Sequence, residues 1–196
     1  MSNSVRVADY PVAPVFVERW SPRSFTGEEI PDEVLLTSFE AARWAPSSFN
    51  SQPWRFLYAK RGTPEWETFL GLLLEFNRSW AEAASALIVV VSKTTLLWDG
   101  KEVPARSHSF DTGAAWSAFA HQTKLSGWAA HAVGGFDLDK TRQVLEIPEG
   151  YEVQVAIVVG RQGPAEALPE KLKQREVPSP RKPVSELVGV GAFRFK

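Results

Sequence analysis

The sequence contains no cysteine among its 196 residues. A chain without thiols forms no disulfide, holds no metal or iron–sulfur cluster through thiolates and has no cysteine nucleophile. Any redox chemistry therefore requires a cofactor. The three histidines, His108, His121 and His131, lack the spacing of metal ligands, and we expect no metal site. We expect His121 and His131 to be ordinary residues of a helix and its exit, and His108 to be non-catalytic.

The chain has no marked excess of charge of either sign. Lys and Arg together number 22, Asp and Glu number 23, and the formal net charge is -1 at pH 7. A protein with this balance has no general attraction for nucleic acid or for an anionic membrane. We therefore expect neither of them as a partner.

Long hydrophobic runs are also missing. The longest, at residues 83–91, is too short to span a bilayer and contains Ser85. Residues 1–10 lack the apolar core of a signal peptide. These features favour a cytoplasmic protein. Because 196 residues with 44% hydrophobic content are enough for one well-filled core, we expect a single domain over residues 1–196.

Apolar spacing and capping residues predict a mixture of helices and strands. Helices are predicted at residues 31–44, 111–128 and 137–145. A further helix is predicted to begin after Thr63, its N-cap, with Pro64 at the first helical position. Strands are predicted at residues 54–59, 86–92 and 151–159, the last with Val153, Val155, Ile157 and Val159 on one face. Residues 93–109 follow neither period, which predicts an irregular surface segment.

The stretch at residues 45–56, Ala-Pro-Ser-Ser-Phe-Asn-Ser-Gln-Pro-Trp-Arg-Phe, joins a predicted helix to a predicted strand. Its two prolines end the helix and fix the turn before the strand. Hydroxyl and amide groups lie within a few residues of one another, and small side chains would let a flat ligand approach the backbone. The alternative interpretation is an ordinary helix-to-strand turn.

A second polar motif is Arg19-x-Ser21-x-Arg23, in which two arginines flank a serine. A guanidinium is a rigid fork of donors that suits a phosphate dianion, and the serine hydroxyl could supply a further donor. The motif therefore predicts a phosphate site without a glycine-rich loop. A solvated helix end with exposed arginines is the alternative.

Residues 163–183 contain five prolines, many charges and few large apolar side chains. Such a segment is either disordered or an extended arm that lies on another surface. Apolar residues follow it at Leu187, Val188, Val190 and Phe193. They favour an arm that docks on a partner subunit.

Four motifs together carry a resemblance to a known family. Arg19-x-Ser21-x-Arg23, Pro46-Ser-Ser-x-Asn-x-Gln-Pro-Trp54, Gly134-Gly135-Phe-Asp137 and Arg181-Lys-Pro183 follow the order and approximate spacing of the FMN-dependent nitroreductase family, which the chain resembles over nearly its whole length. The resemblance implies an α+β fold, a three-layer sandwich with a mostly antiparallel sheet between helices. It also implies a homodimer with FMN at each interface and an exchanged C-terminal arm at about residues 163–196.

The resemblance further implies which residues hold the cofactor. The phosphate and ribityl contacts would be Arg19, Ser21, Arg23 and Arg181, with Trp20 and Pro22 in the same loop. Pro46, Ser47, Ser48 and Asn50 would lie against the flavin bound mainly by the other subunit. Asn77 would bond the pyrimidine edge of the ring, and the backbone amides of Gly134 and Gly135 would lie near N5.

Three departures from better-studied members are visible. Trp80 stands where some members carry a lysine, and Gly134 where some carry a glutamate. The segment at residues 93–110 is shorter than the corresponding helical excursion, so the substrate-pocket residues of those enzymes cannot be transferred.

The function implied by the resemblance is transfer of a hydride from NAD(P)H through flavin N5 to a nitroaromatic, quinone or other small conjugated acceptor, with ping-pong kinetics. No acid–base side chain is obligatory, and NAD(P)H would bind transiently. Gly189-Val-Gly191 lies too near the C-terminus to begin a dinucleotide-binding unit. The alternatives are another reaction on the same scaffold (dehalogenation, flavin destruction or azoline oxidation) and a non-catalytic flavin-binding dimer.

Overall fold

The computed structural model describes residues 6–195. Residues 1–5, which belong to the segment expected not to be a signal peptide, and Lys196, the end of the predicted arm, lie outside the described residues. The strands are β1 (Trp54–Lys60), β2 (Ala86–Lys93), β3 (Thr95–Trp98), β4 (Lys101–Pro104), β5 (Ala129–Val133) and β6 (Tyr151–Gly160). The helices are α1 (Pro14–Glu18), α2 (Asp32–Arg43), α3 (Trp66–Leu70), α4 (Glu75–Ala81), α5 (His108–Leu125), α6 (Leu138–Val144) and α7 (Glu170–Lys173).

The main sheet of the described chain has the order β1-β2-β6-β5, and all of its neighbours are antiparallel. Its central strand β2 is buried on both faces, as its continuous apolar sequence predicts. One face packs against α3 and α4 through large side chains such as Trp66 and Trp80. The other packs against α2 and α5, where Phe119 is fully buried. These three layers confirm the predicted α+β sandwich.

A β-bulge changes the predicted pattern of β6. Val90 pairs with Val155 while Val91 pairs with Val153, so Gln154 is an extra residue in β6. The bulge reverses the alternation of side chains, and Val153 packs in the α3/α4 core instead of the α2/α5 core. The prediction that all four apolar residues share one face was therefore wrong at Val153.

The helix predicted from Thr63 is two short helices, α3 and α4. The Thr63 hydroxyl donates to the carbonyl of Lys60 over 3.0 Å and does not cap the helix. Between the two helices the backbone bonds to the chain that follows β5, with Leu74 N donating to Gly135 O at 3.1 Å and Asp137 N donating to Leu72 O at 2.9 Å. These tertiary hydrogen bonds interrupt the helix and place Asn77 near the start of α4.

The segment at residues 93–110 is more regular than its sequence predicted. Strands β3 and β4 form a hairpin whose turn residues, Asp99 and Gly100, have φ values of 49° and 72°. Two left-handed residues are the signature of a tight hairpin turn, and the Asp-Gly pair was the signal for it. Strand β5 was also not predicted, and α5 begins three residues earlier than expected, at His108.

The C-terminal segment divides into two parts. Residues 163–177 lie against the rest of their own chain, with Leu172 and Glu176 buried, which agrees with the alternative of an extended arm on another surface. Further on, Leu187, Val188, Val190 and Phe193 are exposed. Exchange of the arm between subunits stays a prediction. Among the described residues, no helix combines the length and apolar character needed to cross a membrane.

Candidate functional site

A cavity of about 290 Å³ brings together residues that are far apart in the sequence. We call it the arginine cavity. Its lining residues are Arg6, Arg19, Trp20, Ser21, Arg23, His131, Arg175, Val177, Ser179 and Arg181. Five arginines thus line one space, and none of the described residues that line it carries a carboxylate.

Most of the residues predicted for a phosphate site lie in this cavity. Arg19, Trp20, Ser21 and Arg23 come from the loop after α1, and Arg181 comes from the C-terminal segment. Pro22 lies in the same loop but does not line the cavity. Sequence reasoning missed Arg6, Arg175 and His131, since no motif marks them and only the fold places them there.

The loop at residues 21–24 is held from two sides. On one side, Pro22 O accepts a hydrogen bond from Nδ1 of His131 over 2.8 Å. On the other, the carboxylate of Glu176 accepts from the backbone amides of Arg23 and Ser24 at 2.8 to 3.0 Å. The backbone that carries Arg23 is therefore held by two buried partners, His131 and Glu176.

His131 is a neutral residue at neutral pH. Its pKa is lowered to about 4, mainly by burial; the hydrogen bond to the Pro22 carbonyl opposes this shift, and the positive charges of Arg23 and Arg19 add to it. Because Nδ1 donates to a carbonyl, Nε2 carries no proton in the neutral ring. The ring stacks on buried Trp80, with centroids 4.9 Å apart. His131, expected at a helix exit, instead lies in β5, where it lines the cavity and bonds the loop that carries Arg23.

The arginines retain hydrogen-bonding capacity for an anion. Burial, together with a neighbouring guanidinium, lowers the pKa of Arg19 and Arg23. The buried Nε of Arg23 has no hydrogen-bond partner among the residues that the structure describes. Arg19 reaches Ser21 Oγ only at 3.5 Å. An anion with several acceptor oxygens, such as a phosphate monoester, would satisfy these donors and offset the repulsion between them.

Asn77 and the paired glycines form a second group. Asn77 Nδ2 donates to Gly135 O over 3.0 Å. A Cβ on Gly135 would lie 2.4 Å from that nitrogen, whereas one on Gly134 would meet nothing within 4 Å. Both glycines follow directly on β5, which also carries His131. At the rise per residue of a strand, Gly134 lies roughly 10 Å along the chain from His131. The strand thus links this group to the arginine cavity, which His131 lines.

The stretch at residues 46–52 is a third group. Ser48 N donates to Asp111 Oδ2 at 3.0 Å and Gln52 N donates to Ser47 Oγ at 3.0 Å. Phe49, Asn50 and Gln52 have left-handed φ values of 53°, 51° and 46°. Such a conformation is costly for residues other than glycine and is found at functional sites. Within the described chain, none of Pro46, Ser47, Ser48 and Asn50 lines the arginine cavity.

Comparison with known proteins gives the family. The sequence model of the nitroreductase family matches residues 17–75 and 64–161, which together make up more than half of the chain. The chain belongs to the nitroreductase family. A Streptomyces coelicolor relative named as an NADH dehydrogenase/NAD(P)H nitroreductase is 37% identical over 79 residues, which are 40% of this chain and 38% of that protein.

Solved structures of this nitroreductase-family fold extend the comparison. The crystal structure of an oxidoreductase containing FMN is 43% identical, with a TM-score of 0.95 and complete coverage of both chains. A Desulfovibrio desulfuricans protein named as a nitroreductase, in complex with FMN, is 21% identical, with a TM-score of 0.72 over 95% of this chain and 100% of that one. At that identity the second likeness shows the fold alone.

Proposed function

We propose that this nitroreductase-family chain is an FMN-dependent oxidoreductase that uses NAD(P)H. The observation that carries the proposal is the arginine cavity, in which the buried Nε of Arg23 lacks a partner among the described residues. A phosphate monoester fits this donor set. The 43% identity over the full chain to an oxidoreductase containing FMN supports the choice of FMN as the phosphate-bearing group.

The cofactor contacts are part of this proposal. Arg19, Ser21, Arg23 and Arg181 would hold the phosphate and ribityl groups, and we add Arg175, which lines the same cavity. Trp20 and Pro22 would shape the loop. Asn77 would orient the pyrimidine edge, and the amides of Gly134 and Gly135 would lie near N5. Support comes from β5, which connects this pair of glycines to the cavity.

The active form in this proposal is a homodimer. Pro46, Ser47, Ser48 and Asn50 do not line the arginine cavity of their own described chain, so they would contact the flavin held by a second copy. The exposed apolar side chains of Leu187, Val188, Val190 and Phe193 support docking of the arm on that copy. The left-handed residues of the 46–52 stretch would hold the backbone close to the ring.

When bound, FMN supplies the hydride chemistry through its N5 atom, between NAD(P)H and a nitroaromatic, quinone or other small conjugated acceptor. The chain's own residues bind the phosphate and orient the ring. Neutral His131 holds the 21–24 loop and adds no further positive charge to the cavity. The reductant and the acceptor would use one exposed face in succession, which gives ping-pong kinetics.

Equilibrium binding tests the cofactor assignment. Flavin-free protein is titrated with FMN and with riboflavin, which lacks the phosphate, and flavin fluorescence reports binding. We expect one FMN per chain and an affinity for FMN about 100-fold or more above that for riboflavin, since several charge-assisted hydrogen bonds are lost with the phosphate. Equal affinities, or no binding of either flavin, would contradict the proposal.

A further inference from the structure

Glu176 is a buried carboxylate directly behind the arginine cavity. It follows α7 and is 8% exposed, while its neighbours Arg175 and Val177 line the cavity. Its Oε1 accepts from Arg23 N at 2.8 Å and from Ser24 N at 2.9 Å, and its Oε2 accepts from Arg23 N at 3.0 Å. The carboxylate thus bonds the backbone of the 21–24 loop.

Two consecutive backbone amides that converge on one anion form a strong, directional contact. If the carboxylate were removed, both amides would lose that partner in a partly buried place, and the loop would have to move to find another. Movement of the loop would carry Arg23 with it. Phosphate binding would then depend on a residue that need not touch the phosphate.

The contact joins two distant parts of the chain. Ser24 Oγ donates to Pro164 O at 2.6 Å, and Gly163 N donates to Ser24 O at 2.9 Å. Together with Glu176, these bonds attach both ends of residues 163–176 to the 21–24 loop. The loop and this segment consequently form one hydrogen-bonded structural unit.

We propose that Glu176 is a positioning residue for the phosphate site, and that it couples phosphate binding to docking of residues 163–177. The inference rests on the proposed function, since it takes FMN as the phosphate-bearing ligand. Coupling between two sites is reciprocal. The docked segment strengthens phosphate binding, and bound phosphate holds the segment in place.

The first experiment compares FMN and riboflavin affinities in Glu176→Ala and Glu176→Gln, with exposed Glu166→Gln as the matched control. We expect Glu176→Ala to weaken FMN binding about 10- to 100-fold and to leave riboflavin binding unchanged. Glu176→Gln keeps one acceptor oxygen without the charge, and its FMN affinity should fall about threefold to tenfold. The control should prefer FMN over riboflavin by the same factor as the wild type.

Each other outcome overturns the inference. An equal loss for both flavins would make Glu176 a residue of general stability, and an unchanged preference for FMN would remove its role. If Glu176→Ala does not fold, the ratio of FMN affinity to riboflavin affinity in Glu176→Gln decides the test. A wild type without any preference for FMN overturns the proposed function as well, which separates that failure from a failure at Glu176 alone.

Limited trypsin digestion tests the reciprocal effect, in which bound phosphate holds residues 163–177 in place. This segment contains the trypsin sites Lys171 and Lys173. We expect FMN to slow cleavage at these two lysines about tenfold relative to flavin-free protein, and riboflavin at saturation to slow it much less. In Glu176→Gln the difference between the protection given by FMN and that given by riboflavin should be smaller than in the wild type. Equal protection by FMN and riboflavin in the wild type would contradict the coupling.

Discussion

The side-chain amide of Asn77 donates from Nδ2 to the carbonyl oxygen of Gly135 over 3.0 Å, and this contact leaves no room for a side chain on Gly135. The neighbouring Gly134 has open space where its Cβ would be. Neither glycine has a left-handed φ. The need for glycine at position 135 is therefore steric.

This contrast gives a matched pair of variants. Gly135→Ala should lower the free energy of unfolding of flavin-free protein by about 1–3 kcal/mol, because the new Cβ displaces Asn77 and breaks its hydrogen bond. Gly134→Ala should change it by less than about 1 kcal/mol. Urea denaturation followed by tryptophan fluorescence measures both. Equal effects of the two substitutions would show that the Asn77 contact is not what excludes a side chain.

The double variant Arg23→Ala with Arg181→Ala should lose its flavin, remain folded and keep the oligomeric state of the wild type. Each lost charge-assisted contact to phosphate is worth about 1.5–3 kcal/mol, so FMN affinity should fall by about 100-fold or more. The ratio of FMN to protein after gel filtration measures this. Arg61→Ala with Arg78→Ala removes the same charge from exposed residues outside the cavity and serves as the control. Unchanged occupancy in the first variant would refute the phosphate assignment.

His131 should make the folded state sensitive to acid. Its folded pKa is about 4, below the usual 6.5, so between these values the unfolded chain binds a proton that the folded chain does not. The free energy of unfolding should therefore decrease as the pH falls from about 7 to 4, by about 3 kcal/mol from this group. His131→Asn can still donate to Pro22 but cannot titrate. Its stability relative to wild type should rise on acidification, and parallel pH profiles would contradict this.

Asp111 should hold the 46–52 stretch in its left-handed conformation. Its buried Oδ2 accepts from Ser48 N and from Ser107 Oγ, each at 3.0 Å. Asp111→Ala should cost about 1.5–3 kcal/mol of stability and speed amide exchange at Ser48, whereas Asp111→Asn, which keeps an acceptor oxygen, should cost less. Hydrogen exchange measured by NMR separates the two. Unchanged protection of the Ser48 amide in Asp111→Ala would exclude this role.

Local patterns predicted the elements whose burial follows from their own sequence, either from a helical period or from a continuous apolar run. Helix α2 and strand β2 lie within one or two residues of their predicted bounds. The prediction was wrong where distant hydrogen bonds decide the backbone, as in the break before α4 and at the bulge residue Gln154. Likewise, spacing indicated Arg19 and Arg23, whereas Glu176 acts through backbone amides more than 150 positions away, which no pattern in the sequence reveals.

Anaerobic titration of the FMN-loaded protein with NADH and with NADPH tests the proposed oxidoreductase activity most directly. The visible absorbance of the flavin should disappear after about one equivalent of at least one nucleotide, since hydride transfer is two-electron and one flavin per chain is expected. A nitroaromatic or quinone added afterwards should restore it. Flavin bands that persist with both nucleotides would contradict the proposed activity and leave a protein that binds FMN without reducing it.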